Sequence, residues 1–363
     1  MIRMRKYYID NLRWFIIMLL IPFHAAQAFK TWDEPNYIVY GPNAVISSVI
    51  VFFAPFVMQI LFLFAGMSIR YALKKRSYGQ FAAERVKRLL IPLLFGVLIL
   101  VPPMTYLADC YHNGYDGSYF SHYIKFFTLI TDMSGADGGF SFGQFWFLLY
   151  LFILSFVLLG VVAVQKKVRS EQGDLTEKKG GPLWLVVLMG LPLPVFSELL
   201  SVGGKSFVEF LYFLLLGYYV FTNEKLIEEI RKYAIIFLAI GLAASILNVY
   251  LFLFSGAEYP VLNTAAKYVS EWFMVLAFVG VGKRICDREF RVTGYLSKIS
   301  YPFFSFHFVF VILFQYIFSD VLMGNVVLLY LIPVALSFAA TFLCCHIVIH
   351  VPALCFLVGV KKG

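Results

Sequence analysis

Charge is what this sequence has least of. Only 14% of its 363 residues are Asp, Glu, Lys or Arg, where soluble domains carry about a quarter. Hydrophobic residues make up 61% and aromatics 19%, and the mean hydropathy is +0.81. A water-soluble fold of this length has too little interior to hide that much apolar surface, so a soluble enzyme or binding module is excluded. Cysteine is also scarce. Cys110, Cys286, Cys344, Cys345 and Cys355 are odd in number and lack C-x-x-C spacing, which argues against a disulfide framework or a zinc site. No polar linker or soluble block separates the apolar runs, so the two or three domains that length alone suggests give way to one membrane domain over 1–363. No internal repeat of the transporter kind stands out. The net charge of +9 is spread over short segments between apolar runs. It reads as orientation signal, and no nucleic-acid partner is expected.

What is there is a series of apolar stretches near the length of about 20 residues that crosses a bilayer as helix. They fall at 12–29, 44–69, 89–108, 145–165, 183–198, 206–222, 234–255, 266–282, 299–318 and 326–349. The expected fold class is therefore all-α, a polytopic integral membrane protein of about ten transmembrane helices. The fifth stretch is short and holds Pro192 and Pro194, which predicts a kink supported by neighbours. With these spans, all but four of the 30 Lys and Arg fall on one side; the four are Lys30, Lys125, Lys205 and Lys267. The positive-inside rule then puts both termini in the cytoplasm, in the plasma (inner) membrane of a bacterium. Arg3 to Lys6, the apolar run and Ala26-Gln27-Ala28 have the outline of a signal peptide. Pro22 and His24 interrupt that run, so cleavage is not expected.

The longest segment on the outer side, 109–144, is rich in Tyr, Asp and Gly, and Ser118 to Ile130 suits an amphipathic interfacial helix. It reads either as an aromatic belt at the membrane surface or as a platform on which tyrosine rings stack against a sugar acceptor.

Ionisable groups inside the bilayer are costly and so point to function. In the first span, Arg13 and His24 lie about three helical turns apart on nearly one face, roughly 16 Å along the axis. Asp10, one turn before, is placed to pair with Arg13. A histidine there is either a general base or a hydrogen-bonding partner of another helix. Arg85 and Arg88, three apart before the third span, present guanidinium forks suited to phosphate; anchoring topology is the plainer role for them. Glu209, Glu271 and His307 are weaker intramembrane candidates, with Glu271 preferred over Glu209. His346 and His350 have an i, i+4 spacing that suits a metal, but without a third ligand nearby in sequence none is expected.

Asp10-Asn11-Leu12-Arg13, the Arg-x10-His spacing to His24 and Arg85-x-x-Arg88 together resemble the acyltransferase-3 family of membrane proteins. Phe64-Ala65-Gly66-Met67-Ser68 resembles the family's F-x-S-G segment, and Gln144-Phe145-Trp146-Phe147-Leu148 its H-L-W-F-L segment. Ala65 and Ser68 do not reproduce the S-G order, and Gln144 stands where the family often has His. The resemblance implies O-acylation of an extracytoplasmic carbohydrate, usually acetylation, with acetyl-CoA as cytoplasmic donor. It implies that Arg13 and His24 are essential and that Arg85 and Arg88 help bind the donor. On this view Arg85, Arg88 and Arg13 hold CoA phosphates while the pantetheine arm brings the thioester to His24. His24 then acts as general base or as transient acyl carrier. Trp146, Tyr150 and Glu271 are the expected substrate contacts, with Trp146, Tyr150 or a backbone amide near Pro22 as candidate oxyanion donors. The rival from another class is a transporter or flippase for a sugar or lipid-linked intermediate, which needs no acyl donor. A sensory or scaffolding protein is a third alternative, in which His24 is replaceable.

Overall fold

A computed structural model describes residues 6–172, 182–322 and 324–360. Arg3, Arg5, Lys178, Lys179, Lys361 and Lys362, which enter the orientation argument, lie outside the described residues. The described chain is almost wholly helical. In order, the helices are α1 (Tyr7–Ala26), α2 (Ala44–Phe53), α3 (Val57–Leu73), α4 (Tyr78–Arg85), α5 (Ile91–Phe95) and α6 (Val101–Asn113). They continue with α7 (Tyr119–Thr128), α8 (Trp146–Gln172), α9 (Leu183–Leu188), α10 (Leu193–Phe196), α11 (Phe207–Tyr219) and α12 (Glu224–Lys232). The last are α13 (Ala234–Leu253), α14 (Pro260–Val281), α15 (Thr293–Phe318), α16 (Val326–Val348) and α17 (Pro352–Leu357). The two strands among the described residues are two residues long each, pairing Ser201 with Ser206 and Val202 with Lys205.

Among the described residues, seven stretches are long and apolar enough to cross a membrane: Tyr7–Phe29, Ala44–Leu73, Tyr78–Asn113, Gly143–Val168, Ala234–Leu253, Thr293–Phe318 and Val326–Val348. The other three of the ten expected spans take different forms. The proline-bearing stretch at 183–198 breaks at Gly190–Pro192 into α9 and α10, because each proline removes a backbone donor. Phe207–Tyr219 is apolar but short. The last, α14, is a 22-residue helix that carries Lys267 and Glu271 within it. The third span is not a plain α-helix. Five-residue π-helical turns at Val86–Leu90 and Gly96–Leu100 flank α5, and a third π turn, Gly282–Cys286, ends α14. Such turns are rare and concentrate at functional sites.

Contacts divide the chain into two compact units. The first comprises Met1–Arg13, Phe52–Val86 and Tyr150–Arg291; the second comprises Trp14–Val51, Lys87–Leu149 and Val292–Gly363. In the first unit, α3 and α11 cross with their backbones in contact. A Cβ on Gly66 would sit 2.1 Å from the Leu214 carbonyl oxygen, and one on Gly217 would sit 2.0 Å from that of Leu63. Small residues are the membrane's usual way of letting helices approach, since lipid supplies no hydrophobic drive between them. Gly241 against Met274 repeats the device between α13 and α14, where the Ser245 and Ser270 hydroxyls also meet at 2.6 Å. The short α12 is amphipathic, burying Leu226, Ile227 and Ile230 under a charged face, and Asn223 caps its start.

In the second unit, side-chain polar groups lash the end of α1 to α15 and α16. The Gln315 amide donates to the Ala25 carbonyl at 2.9 Å, and the Tyr330 hydroxyl donates to the Pro22 carbonyl at 3.1 Å. Tyr40 donates to the Gln315 carbonyl. Beside these bonds an apolar cluster forms on Ala28, Phe29 and Leu329.

The α3–α11 crossing predicts that Gly217→Ala forces the helices apart and costs on the order of 1–3 kcal/mol. Thermal unfolding followed by size-exclusion chromatography checks this against Gly160→Ala, where a Cβ meets nothing within 4 Å and the transition is expected to stay put.

Candidate active site

His24 lies in the last turn of α1, half-buried. Its ring stacks on Phe308, with centroids 4.2 Å apart and planes inclined by 28°, and meets the His307 ring at 5.3 Å and 39°. His307 is fully buried. Its Nδ1 lies 2.8 Å from the Phe304 carbonyl and 3.2 Å from that of Phe303. Carbonyls only accept, so Nδ1 carries the proton. That leaves Nε2 of a neutral ring as a bare acceptor, and Nε2 is buried with no protein hydrogen-bond partner. An unpaired acceptor costs free energy in a dry interior, which makes this nitrogen available to a proton or hydroxyl beside His24. Gln144 supports the same stretch of α15. Its amide nitrogen donates to the Ser305 carbonyl at 2.9 Å, two residues before His307. Gln144 thereby anchors α15 to the start of α8. Trp146 begins α8 next to this anchor. Arg88 lies in the first π turn, and its carbonyl accepts from the Tyr301 hydroxyl, one turn before Ser305.

The first unit holds the other candidates. The Arg13 guanidinium donates to the Ser68 hydroxyl at 3.1 Å, and Ser68 in turn donates to the Phe64 carbonyl at 2.7 Å. The expected partner Asp10 is at 3.7 Å, long for a charge-assisted bond, so Ser68 fixes the arginine more closely than Asp10 does. The neighbouring Asn11 is buried and donates to the carbonyls of Cys286 and Arg288 at 2.8 and 3.0 Å. It thereby terminates the π turn at the end of α14. Arg85 stacks its guanidinium over the Phe81 ring at 4.6 Å. The Tyr150 hydroxyl donates to the Lys205 carbonyl at 3.1 Å, and its ring stacks on Phe207 at 3.9 Å, which gives it a packing role between α8 and α11. Glu271, on α14, is 1% exposed, and the carboxylate of Glu209, on α11, accepts from the Gln59 amide at 2.6 Å.

Sequence reasoning named His307 and Glu209 only as lesser candidates and missed Gln59, Gln315 and Tyr330. The cost of an ionisable group in an apolar run was the available signal for the first two. The amides and the tyrosine give no such signal, because their partners, the Glu209 carboxylate for Gln59 and the backbone carbonyls of Ala25 and Pro22 for Gln315 and Tyr330, lie 150 or more residues away. Among the described residues no group of three His, Cys, Asp or Glu side chains could hold a metal ion.

A family model described as an acyltransferase domain matches residues 6–350. The chain belongs to the acyltransferase-3 family. Curated relatives include the glucans biosynthesis protein C of Escherichia coli (strain SMS-3-5 / SECEC), 29% identical over 199 residues, covering 51% of this chain and 46% of that protein. The protein of the same name from Shigella dysenteriae serotype 1 is 28% identical over the same extent. The match thus spans less than half the length of these relatives. No solved structure matches. The family match and the apolar helices make the chain a multi-pass membrane protein of this family with bacterial relatives.

The 109–144 segment, expected to carry an interfacial helix, folds around a buried charge. Asp109 is fully buried and accepts from Lys125 at 2.6 Å and Asn113 at 2.8 Å. The glycine at 138, in the left-handed region with φ +84, presses on it: a Cβ there would lie 2.7 Å from the Asp109 carboxyl carbon. His122, on α7, has its Nε2 3.6 Å from the Asp109 carboxylate. Burial lowers the His122 pKa below 6.5, Asp109 pulling it up and Lys125 pushing it down. The folded segment therefore prefers the neutral ring. Above pH 6.5 its stability is complete; as pH falls below 6.5 the unfolded segment takes up the proton first and stability is lost. Relative to the intrinsic exchange rate at each pH, the protection of residues 109–144 is expected to fall between pH 6.5 and 5, and His122→Gln to flatten that response. In Lys125→Met the buried Asp109 charge loses its closest partner, at a cost of about 3 kcal/mol, read as faster exchange of the same segment at pH 7.5.

Proposed function

We propose that this protein is a membrane O-acyltransferase of the bacterial inner membrane. It moves acetyl or another short acyl group from cytoplasmic acyl-CoA to a hydroxyl of an extracytoplasmic carbohydrate. The observation that carries the reading is the His24–His307 ring pair, in a chain of the acyltransferase-3 family. The carbohydrate acceptor rests on the relatives named for glucan biosynthesis. In this reading ten spans place both termini in the cytoplasm, in keeping with the bias of Lys and Arg to one side.

His24 acts on the acceptor hydroxyl. It takes the hydroxyl proton as the oxygen attacks the thioester carbonyl; the C–S bond then breaks, and the imidazolium returns the proton to the departing CoA sulfur. In the covalent variant a His24 nitrogen attacks the thioester carbonyl and the C–S bond breaks, releasing the CoA thiolate; the hydroxyl then attacks the acyl-imidazole, the C–N bond breaks to free His24, and the hydroxyl proton passes to the thiolate. His307, with its proton committed to the Phe304 carbonyl, positions His24 through its bare Nε2. Arg13, oriented by Ser68 and Asp10, is assigned an essential role. Arg85 and Arg88 bind the phosphates of the donor. Trp146, Tyr150 and Glu271 are assigned to the acceptor, Tyr150 through its ring, since its hydroxyl is bonded to Lys205.

One observation favours a second reading. Glu209 and Glu271, two buried carboxyls near enough to interact electrostatically, suit proton-coupled transport of a sugar or lipid-linked intermediate. Donor dependence separates the two. In inside-out vesicles given labelled acetyl-CoA, the wild type is expected to label glycan or to release acetate. His24→Ala is expected to lose this by a factor of about 10²–10⁴ at unchanged insertion, and His307→Phe to lose less while keeping donor affinity. Glycan movement without acetyl-CoA turnover would favour the transporter.

A further inference from the structure

A cleft of about 520 Å³ opens in the first unit between the end of α3, the start of α4 and the last turns of α8, with α11 contributing Tyr218. Four cationic side chains line it: Arg70, Lys74, Arg76 and Lys166. Among the described residues the lining contains no carboxylate; Glu84 pairs with Arg76 at 2.9 Å and offsets one of the four charges. Ser77 and Tyr78, the N-cap and first residue of α4, complete the wall, so the positive end of that helix faces the same space. The Arg70 guanidinium lies 5.0 Å from the Tyr218 ring centroid, which holds it over an aromatic face. Charges that only set topology have no need to converge on a cavity or to be held there.

We propose that this cleft binds a phosphate ester carried by a cytoplasmic or membrane ligand. Guanidinium and ammonium groups around one cavity match the phosphate's several acceptor oxygens, and the half-buried Tyr78 ring lies on the same wall. The two sources of that chemistry are the nucleotide end of the acyl-CoA donor and an anionic phospholipid headgroup. The first rests on the function proposed above; the second does not. Both place the cleft on the side that carries the excess of Lys and Arg. None of its basic residues belongs to the Arg85-x-x-Arg88 pair, so the cleft is an additional phosphate site.

The full chain in phosphatidylcholine nanodiscs tests this. CoA, pantetheine and short-chain phosphatidylglycerol are each titrated against the wild type, Arg70→Gln, Lys166→Gln and Lys75→Gln. Lys75 is exposed and belongs to the same basic segment but does not line the cleft, so it controls for diffuse charge. CoA affinity is expected to fall about tenfold in Arg70→Gln and in Lys166→Gln, with pantetheine binding and the Lys75→Gln variant unchanged. If the wild type binds no CoA but Arg70→Gln and Lys166→Gln lose phosphatidylglycerol binding, the cleft is a headgroup site and the donor assignment falls instead. If neither ligand responds to these variants, or Lys75→Gln weakens binding as much, the proposal is overturned. Lys166 is exposed near the end of α8, so its variant reports even if Arg70→Gln does not insert.

Discussion

A buried side chain in a bilayer has no water to turn to, and each polar group in this chain must find a protein partner or stay unpaired at a cost of several kcal/mol. The second unit is organised by that constraint. The carbonyls of Pro22 and Ala25, near the end of α1, receive hydrogen bonds from Tyr330 and Gln315, and the Ser305 carbonyl receives one from Gln144. These bonds hold α1 and α15 so that His24 and His307 meet ring to ring. The α3–α11 crossing in the first unit meets the same constraint differently, by removing side chains at Gly66 and Gly217 so that backbones pack directly.

The same accounting leaves some buried side-chain atoms without a protein partner, Gln144 Oε1, Gln315 Oε1, Ser337 Oγ, Thr341 Oγ1 and His307 Nε2 among them. Most buried polar groups in the second unit spend their hydrogen bonds on structure. His307 spends one nitrogen on the Phe304 carbonyl and leaves the other without a protein partner. Its ring is also the one that meets His24, at 5.3 Å between centroids, which sets it apart from the other unpartnered atoms. In the first unit the Glu209–Glu271 pair and the basic cleft are the corresponding exceptions, one acidic and internal, the other cationic and open.

Much of this was legible in the sequence, and the limits have physical causes. Apolar length alone located the seven long spans, because a bilayer demands it. It did not locate the break at Gly190–Pro192 within 183–198 or the short α11, because hydropathy averages over the backbone geometry that decides where a helix stops. The π turns at Val86–Leu90 and Gly96–Leu100 were invisible for the same reason: no residue type marks them, although Pro92, Pro102 and Pro103 lie close by. His24 was legible from its cost. Its partnership with His307 was not, since nothing in the local pattern around either residue encodes a contact across 283 positions. The F-x-S-G-like segment was read as a family mark, and the structure gives it two local tasks: Gly66 makes the helix crossing and Ser68 holds Arg13.

The central claim is that acyl groups enter from the acyl-CoA side and leave on a hydroxyl at the other. Sealed proteoliposomes test it most directly, with a glucan offered as acceptor in the lumen, labelled acetyl-CoA outside and the protein sorted by orientation. The account predicts that label appears on lumenal glucan without CoA entering, and that none appears with His24→Ala. Label reaching glucan only when donor and acceptor share one compartment would contradict it, as would lumenal glucan escaping with acetyl-CoA left intact.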